Sequence, residues 1–215
     1  MSNNSLAFRH NEEKILSGII PTKYKKILKH VEGNNILEVG AAEGVLSLLV
    51  AKENPNRHVI GLERHSLRYE TSIELQKRWA INNCKFIKGE FIENFHLLKG
   101  IDTFIGIRTI YYFLHDTDKI FSEISKNCSR LILGGNANRS FGSGAKRSIK
   151  GITEISVSGL NPNLDYAPYQ KVGRNPNYYA SARGMEEIGK KYGYETELLI
   201  NETNKIDPLY VGTKK

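Results

Sequence analysis

The chain has 215 residues, 40% of them hydrophobic and 25% charged, which suits one α/β domain with a sizeable core and excludes a disordered chain. No run approaches the roughly 18 apolar residues of a membrane span, and no apolar h-region follows Met1. The net charge is +8, and Cys84 and Cys128 lie far apart outside any C-x-x-C, so a disulfide scaffold and a cysteine zinc site are both disfavoured and a cytoplasmic protein is expected.

In chain order, residues 11–31 read as mostly helical, interrupted by Pro21. The apolar run Asn35–Val39 ends at Gly40 and predicts a buried strand, and residues 44–52 predict a helix stopped by Asn54-Pro55. His58–Glu63 predicts a second strand, Ser66 to about Asn82 a helix, Lys85–Lys88 a third strand and Asp102–Ile107 a fourth. Asp116–Lys126 then predicts a helix and Arg130–Leu133 a fifth strand. This alternation, with strands that are continuously apolar rather than alternating, is the pattern of a parallel sheet covered on both faces. From 134 to 180 the rhythm gives way to Gly, Asn, Pro, Ser and Tyr; a helix at about 181–192 and strand-like runs at 194–200 and 209–213 follow.

The segment Glu38-Val39-Gly40-Ala41-Ala42-Glu43-Gly44 joins a strand directly to a helix. Gly40 permits a tight turn, Gly44 a close contact at the helix start, and the amides there point toward whatever is bound. A dinucleotide fingerprint would place glycines at 40, 42 and 45, where the chain has Ala42 and Val45. Glu63, 19 residues after Gly44, closes the second strand, where a carboxylate can accept from both hydroxyls of a ribose; the competing reading is a surface acid paired with Arg64.

The Glu-x-Gly-x-x-x-Gly spacing of Glu38, Gly40 and Gly44 resembles the signature of class I S-adenosylmethionine-dependent methyltransferases, with Ala42 where many members have a middle glycine. Glu63, the run Phe86–Phe91 and the run Ile101–Leu114 follow in the order the family shows. The resemblance implies a three-layer Rossmann-like methyltransferase fold: a mostly parallel seven-stranded sheet, an antiparallel last strand and an insertion after the fifth strand. It implies S-adenosyl-L-methionine as cofactor, held by Glu38, Gly40, Ala41, Ala42, Gly44, Glu63, Arg64, Glu90, Phe91, Ile107 and Arg108. Glu90 would accept from the adenine amino group, Phe91 would offer a backbone amide and an apolar wall, and Ile107 and Arg108 would face the substrate. On this reading residues 1–215 form a single methyltransferase domain: 1–31 a helical segment, 32–133 the cofactor-binding core, 134–180 a lid on the substrate side, and 181–215 the closing helix and strands.

The expected reaction is methyl transfer to an O or N of an anionic small molecule, and such an acceptor needs a group to take its proton. Tyr111, Tyr112, His115 and Asp116 are the candidates, although Asp116 also reads as a helix N-cap and the aromatics as packing. Between Arg139 and Arg183 seven basic residues face two acids, and Arg139, Lys146, Arg147, Lys150, Lys171 and Arg174 could attract a nucleic acid as well as a small anion, or form a solvated loop. RNA methylation and an NAD-dependent oxidoreductase are therefore the rival functions. The six histidines show no ligand spacing, so no metal is expected.

Overall fold

The computed structural model describes residues 14–15, 17–107, 109, 116–134, 182–199 and 209–214. Helix α1 (Thr22–His30) starts directly after Pro21, which presets the backbone for a first turn. Then come β1 (Asn35–Val39), α2 (Val45–Glu53), β2 (His58–Glu63), α3 (Ser66–Trp79), β3 (Cys84–Lys88), a 3-10 helix (Phe91–Leu98), β4 (Thr103–Ile107), α4 (Thr117–Asn127), β5 (Arg130–Gly134), α5 (Ala182–Lys191), β6 (Tyr194–Leu199) and β7 (Leu209–Lys214).

The seven strands form one sheet in the order β3-β2-β1-β4-β5-β7-β6. Strands β3 to β5 pair in parallel, and β7 runs antiparallel to both of its neighbours, as expected for the last strand. The order reverses between β1 and β4, whose partners are Ile36↔Thr103, Leu37↔Phe104 and Glu38↔Ile105. Such a reversal opens a crevice at the carboxyl ends of the strands, because the two flanking connections leave to opposite faces.

Each face of the sheet has its own core. On one, Ile27 of α1, Leu46, Leu48 and Val50 of α2 and Leu75 of α3 pack on Ile36, Val59, Ile105 and Ile132. On the other, Phe91 and Leu98 of the 3-10 helix, Ile120, Phe121 and Ile124 of α4 and Ile188 of α5 pack on Leu37, Leu62, Phe104, Leu131 and Tyr210. Neighbouring positions of a strand serve opposite cores, which accounts for the uninterrupted apolar runs. Helix α2 is buried from Leu46 to Ala51, in keeping with an almost wholly apolar sequence.

Most boundaries fall within a residue or so of expectation, with two larger differences. Helix α3 ends at Trp79 because Ala80 takes a left-handed conformation (φ 52°) and its N–H bonds back to the Gln76 and Lys77 carbonyls. The 3-10 helix over Phe91–Leu98 has no counterpart in the sequence reading. Among the described residues no helix is long and apolar enough to cross a membrane.

Candidate functional site

The β1–α2 turn lies at the carboxyl end of the central strand, beside the strand-order reversal. It makes three left-handed steps, at Gly40 (φ 72°), Ala42 (φ 51°) and Gly44 (φ 80°). The amides of Gly40 and Ala41 both donate to the Leu62 carbonyl, at 2.8 and 3.0 Å, and Gly44 N–H donates to Ala41 O at 2.8 Å. A Cβ on Gly40 would collide with the methyl of Thr109, just beyond β4, and one on Gly44 with the Phe86 ring and Ser72. Both glycines are therefore required by contacts within the chain, a reason separate from the approach of a ligand. Ala42 has the same strained backbone without glycine's exemption.

What holds Ala42 there is Glu63. This side chain is 5% exposed, its Oε2 accepts from Ala42 N–H at 2.8 Å, and its Oε1 accepts from His65 N–H at 2.8 Å. Each carboxylate oxygen has a second lone pair, so two acceptor positions remain. Arg64 does not pair with Glu63; it meets Glu90 at 3.3 Å, both side chains about half exposed.

Glu38, one strand away, faces α2 from beneath the turn and is 4% exposed. Ser47 Oγ donates to Glu38 Oε2 at 2.5 Å, and no cation among the described residues pairs with it. Its carboxyl is raised to about 8, chiefly by burial and further by nearby Glu63, against hydrogen bonds from the Ser47 hydroxyl and backbone that lower it. At neutral pH this group is largely protonated.

Phe91 departs from its expected role. Its ring is buried in the core, with Phe95 at 5.2 Å and Phe104 at 5.5 Å between centroids, so it does not wall the crevice. Ile107 closes β4 beside Gly134 of β5. Asp116 occupies the N-cap position of α4, but its side chain makes no capping hydrogen bond. Arg108, Tyr111, Tyr112, His115 and the basic residues from Arg139 to Lys171 and Arg174 lie outside the described residues.

The structure thus brings Glu38, Gly40, Ala41, Ala42, Gly44 and Glu63 together, with Arg64 and Glu90 at the neighbouring strand ends. It adds two polar groups that the sequence reading passes over. One is Ser47, visible in retrospect as the lone hydroxyl in Val45–Ala51; the other is Thr109, whose buried hydroxyl has no partner among the described residues. The residues suit a ligand with a vicinal diol, for the open positions on Glu63, and a cationic group, for the unpaired Glu38. The N-terminus of α2, which has no side-chain cap, suits a carboxylate.

A family model described as a methyltransferase domain matches residues 30–132. No curated protein matches the chain by sequence. Among solved structures, precorrin-6y C5,15-methyltransferase from Geobacter metallireducens is similar at 10% identity and a TM-score of 0.59, over 89% of this chain and 87% of that one. The N-terminal domain of EvdMO1, crystallised with S-adenosylhomocysteine and D-fucose, is similar at 15% identity and a TM-score of 0.59, over 90% and 82%. The bifunctional kinase-methyltransferase WbdD is similar at 15% identity and a TM-score of 0.55, over 83% of this chain and 34% of that one. These structures share the fold.

Proposed function

We propose that the chain is a class I S-adenosylmethionine-dependent methyltransferase that methylates an oxygen or nitrogen of an anionic small molecule, with the donor bound over the β1–α2 turn. The observation that carries the placement is Glu63. It is buried at the end of β2, its carboxylate is fixed by two backbone amides, and one acceptor position on each oxygen is left for the two ribose hydroxyls. Glu38, with no cation beside it among the described residues, receives the donor's ammonium, and the α2 amides receive its carboxylate. Gly40, Ala41, Ala42 and Gly44 form the backbone surface beneath it, while Arg64, Glu90 and the Phe91 amide border the adenine.

S-adenosylmethionine supplies a methyl group already activated by its sulfonium, so the protein's task is to align the acceptor and exclude water. Ile107, at the end of β4, and Arg108, the next residue in the chain, would border the acceptor. For a hydroxyl or ammonium acceptor, Tyr111, Tyr112, His115 and Asp116, which follow β4 in the chain, are the groups that could take the proton. A small acceptor is favoured over a nucleic acid by the names of the similar proteins: one is named for a precorrin, another was crystallised with D-fucose. The concentration of positive charge between Arg139 and Arg183 favours a negatively charged one.

Calorimetric titration tests the site. S-adenosylhomocysteine is expected to bind and NAD is not, and Glu63→Ala should weaken S-adenosylhomocysteine by about 1–3 kcal/mol if its ribose hydrogen bonds are real. Unchanged affinity in that variant, or no binding by the parent protein, overturns the assignment.

A further inference from the structure

Thr109 follows β4 by two residues and is 5% exposed, and its Oγ1 is shut away from water with no hydrogen-bond partner among the described residues. Its methyl occupies the space that a side chain on Gly40 would need. The hydroxyl faces β4 instead, 3.2 Å from where a Cβ on Gly106 would stand. That same point is 3.2 Å from Phe104 Cε1 and 3.5 Å from Leu133 Cδ2, so the neighbours on this side are apolar. One side chain thus bridges the ends of β1 and β4, where the strand order reverses and the crevice opens.

A buried hydroxyl without a partner forfeits its hydrogen bonds to water, and a valine of the same shape would avoid that cost. Packing accounts for the methyl against Gly40 and leaves the hydroxyl unexplained. Such a group points to a partner that arrives with a ligand. The donor brings one. The three N–H bonds of its ammonium diverge, so a single carboxylate cannot receive them all, and Glu38 Oε2 already accepts from Ser47. Glu38 lies opposite Ile105 in register; Gly40 is two residues beyond the one and Gly106 next to the other. Thr109, packed on both glycines, therefore stands over the same stretch of the crevice, nearer its mouth than Glu38. Its Oγ1 and Cγ2 hang from one Cβ, so a single staggered step about χ1 carries the hydroxyl from the Gly106 side to the side facing the β1–α2 turn.

We propose that Thr109 is a donor-binding residue, its hydroxyl turning to accept a hydrogen bond from the donor's ammonium at the ends of β1 and β4. The inference rests on the proposed donor site. The test is calorimetric titration of the full chain with S-adenosylhomocysteine and with 5′-methylthioadenosine, which keeps the nucleoside and lacks the amino-acid end. Thr109→Val keeps the shape and removes the hydroxyl. It should weaken S-adenosylhomocysteine by about tenfold and leave 5′-methylthioadenosine unchanged, while the ligand-free variant melts no lower than the parent. Thr109→Ser keeps the hydroxyl and removes the methyl, so it should bind S-adenosylhomocysteine as the parent does and melt lower. The proposal is overturned if Thr109→Val binds S-adenosylhomocysteine as the parent does, if it weakens both ligands equally, or if it melts below the parent, which would mean that the hydroxyl is already satisfied. Failure of the donor site itself reads differently: the parent then binds neither nucleoside, or Glu63→Ala leaves the binding of both unchanged.

Discussion

Glu38 and Glu63 occupy neighbouring parallel strands, Glu38 opposite Gly61 in register and Glu63 two residues further on, and both are nearly inaccessible. Their surroundings differ. At the rim of the β1–α2 turn, Glu63 is met by two backbone amides, groups that stabilise a carboxylate where it stands. On the floor, Glu38 meets Ser47 and an otherwise apolar helix, so burial dominates and the proton is retained to about pH 8. The rim is therefore built as it would be used, whereas the floor holds an incomplete polar group that a positively charged ligand would complete. The same residue type meets two backbone amides at the rim and a single hydroxyl in apolar surroundings on the floor, where burial raises the carboxyl.

Removing the rim carboxylate gives the largest expected effect. Glu63→Ala leaves the Ala42 and His65 amides without their acceptor and should lower folding stability by about 3 kcal/mol, read from chemical denaturation. A loss below a few tenths would mean that water replaces the carboxylate and that Glu63 does not hold the turn. Gly44→Ala comes next, because a methyl there meets Phe86 and Ser72 and the backbone is left-handed. A loss of about 2–3 kcal/mol is expected from strain and overpacking together.

The floor is probed by pH. Glu38 keeps in the folded state a proton that its ordinary value of 4.5 would release, so its contribution to stability is complete below about pH 4.5 and is lost as pH rises through about 8. Thermal melts between pH 5 and 9 should therefore fall more steeply for the parent than for Glu38→Gln, and parallel curves would show that Glu38 is already ionised. The smallest change is expected for Ala42→Gly, which relieves the left-handed alanine but adds freedom to the unfolded chain. A gain of about 0.5 kcal/mol should result, and a loss would mean that Glu63 does not hold Ala42 against strain.

Much of this arrangement was legible in the chain before its structure. Strands buried on both faces leave continuous apolar runs, and the glycines at 40 and 44 mark where β1 passes into α2. The 3-10 helix was not legible, since Phe91-Ile-Glu-Asn-Phe-His-Leu-Leu98 is too short to show a period and contains a non-helical step at Asn94. Phe91, which the resemblance implies as a wall of the crevice, has its ring in the core. The cause of Gly44 was hidden too, because it lies 42 residues away in the Phe86 ring. Nor could spacing show that Arg64 turns to Glu90 while Glu63 takes backbone amides; that choice depends on the left-handed step at Ala42.

The placement of β7 has a consequence for the order in which the molecule is completed. Because residues 209–214 lie between β5 and β6, a chain emerging from the ribosome carries 194–199 with no neighbouring strand to join, among the described residues, until those six residues are made. The β5 border stays open for the same interval, exposing the ladder from Arg130 to Gly134 to any passing extended segment. A nascent molecule cut before Leu209 would leave β6 unpaired and β5 held by β4 alone, with unsatisfied backbone groups on both.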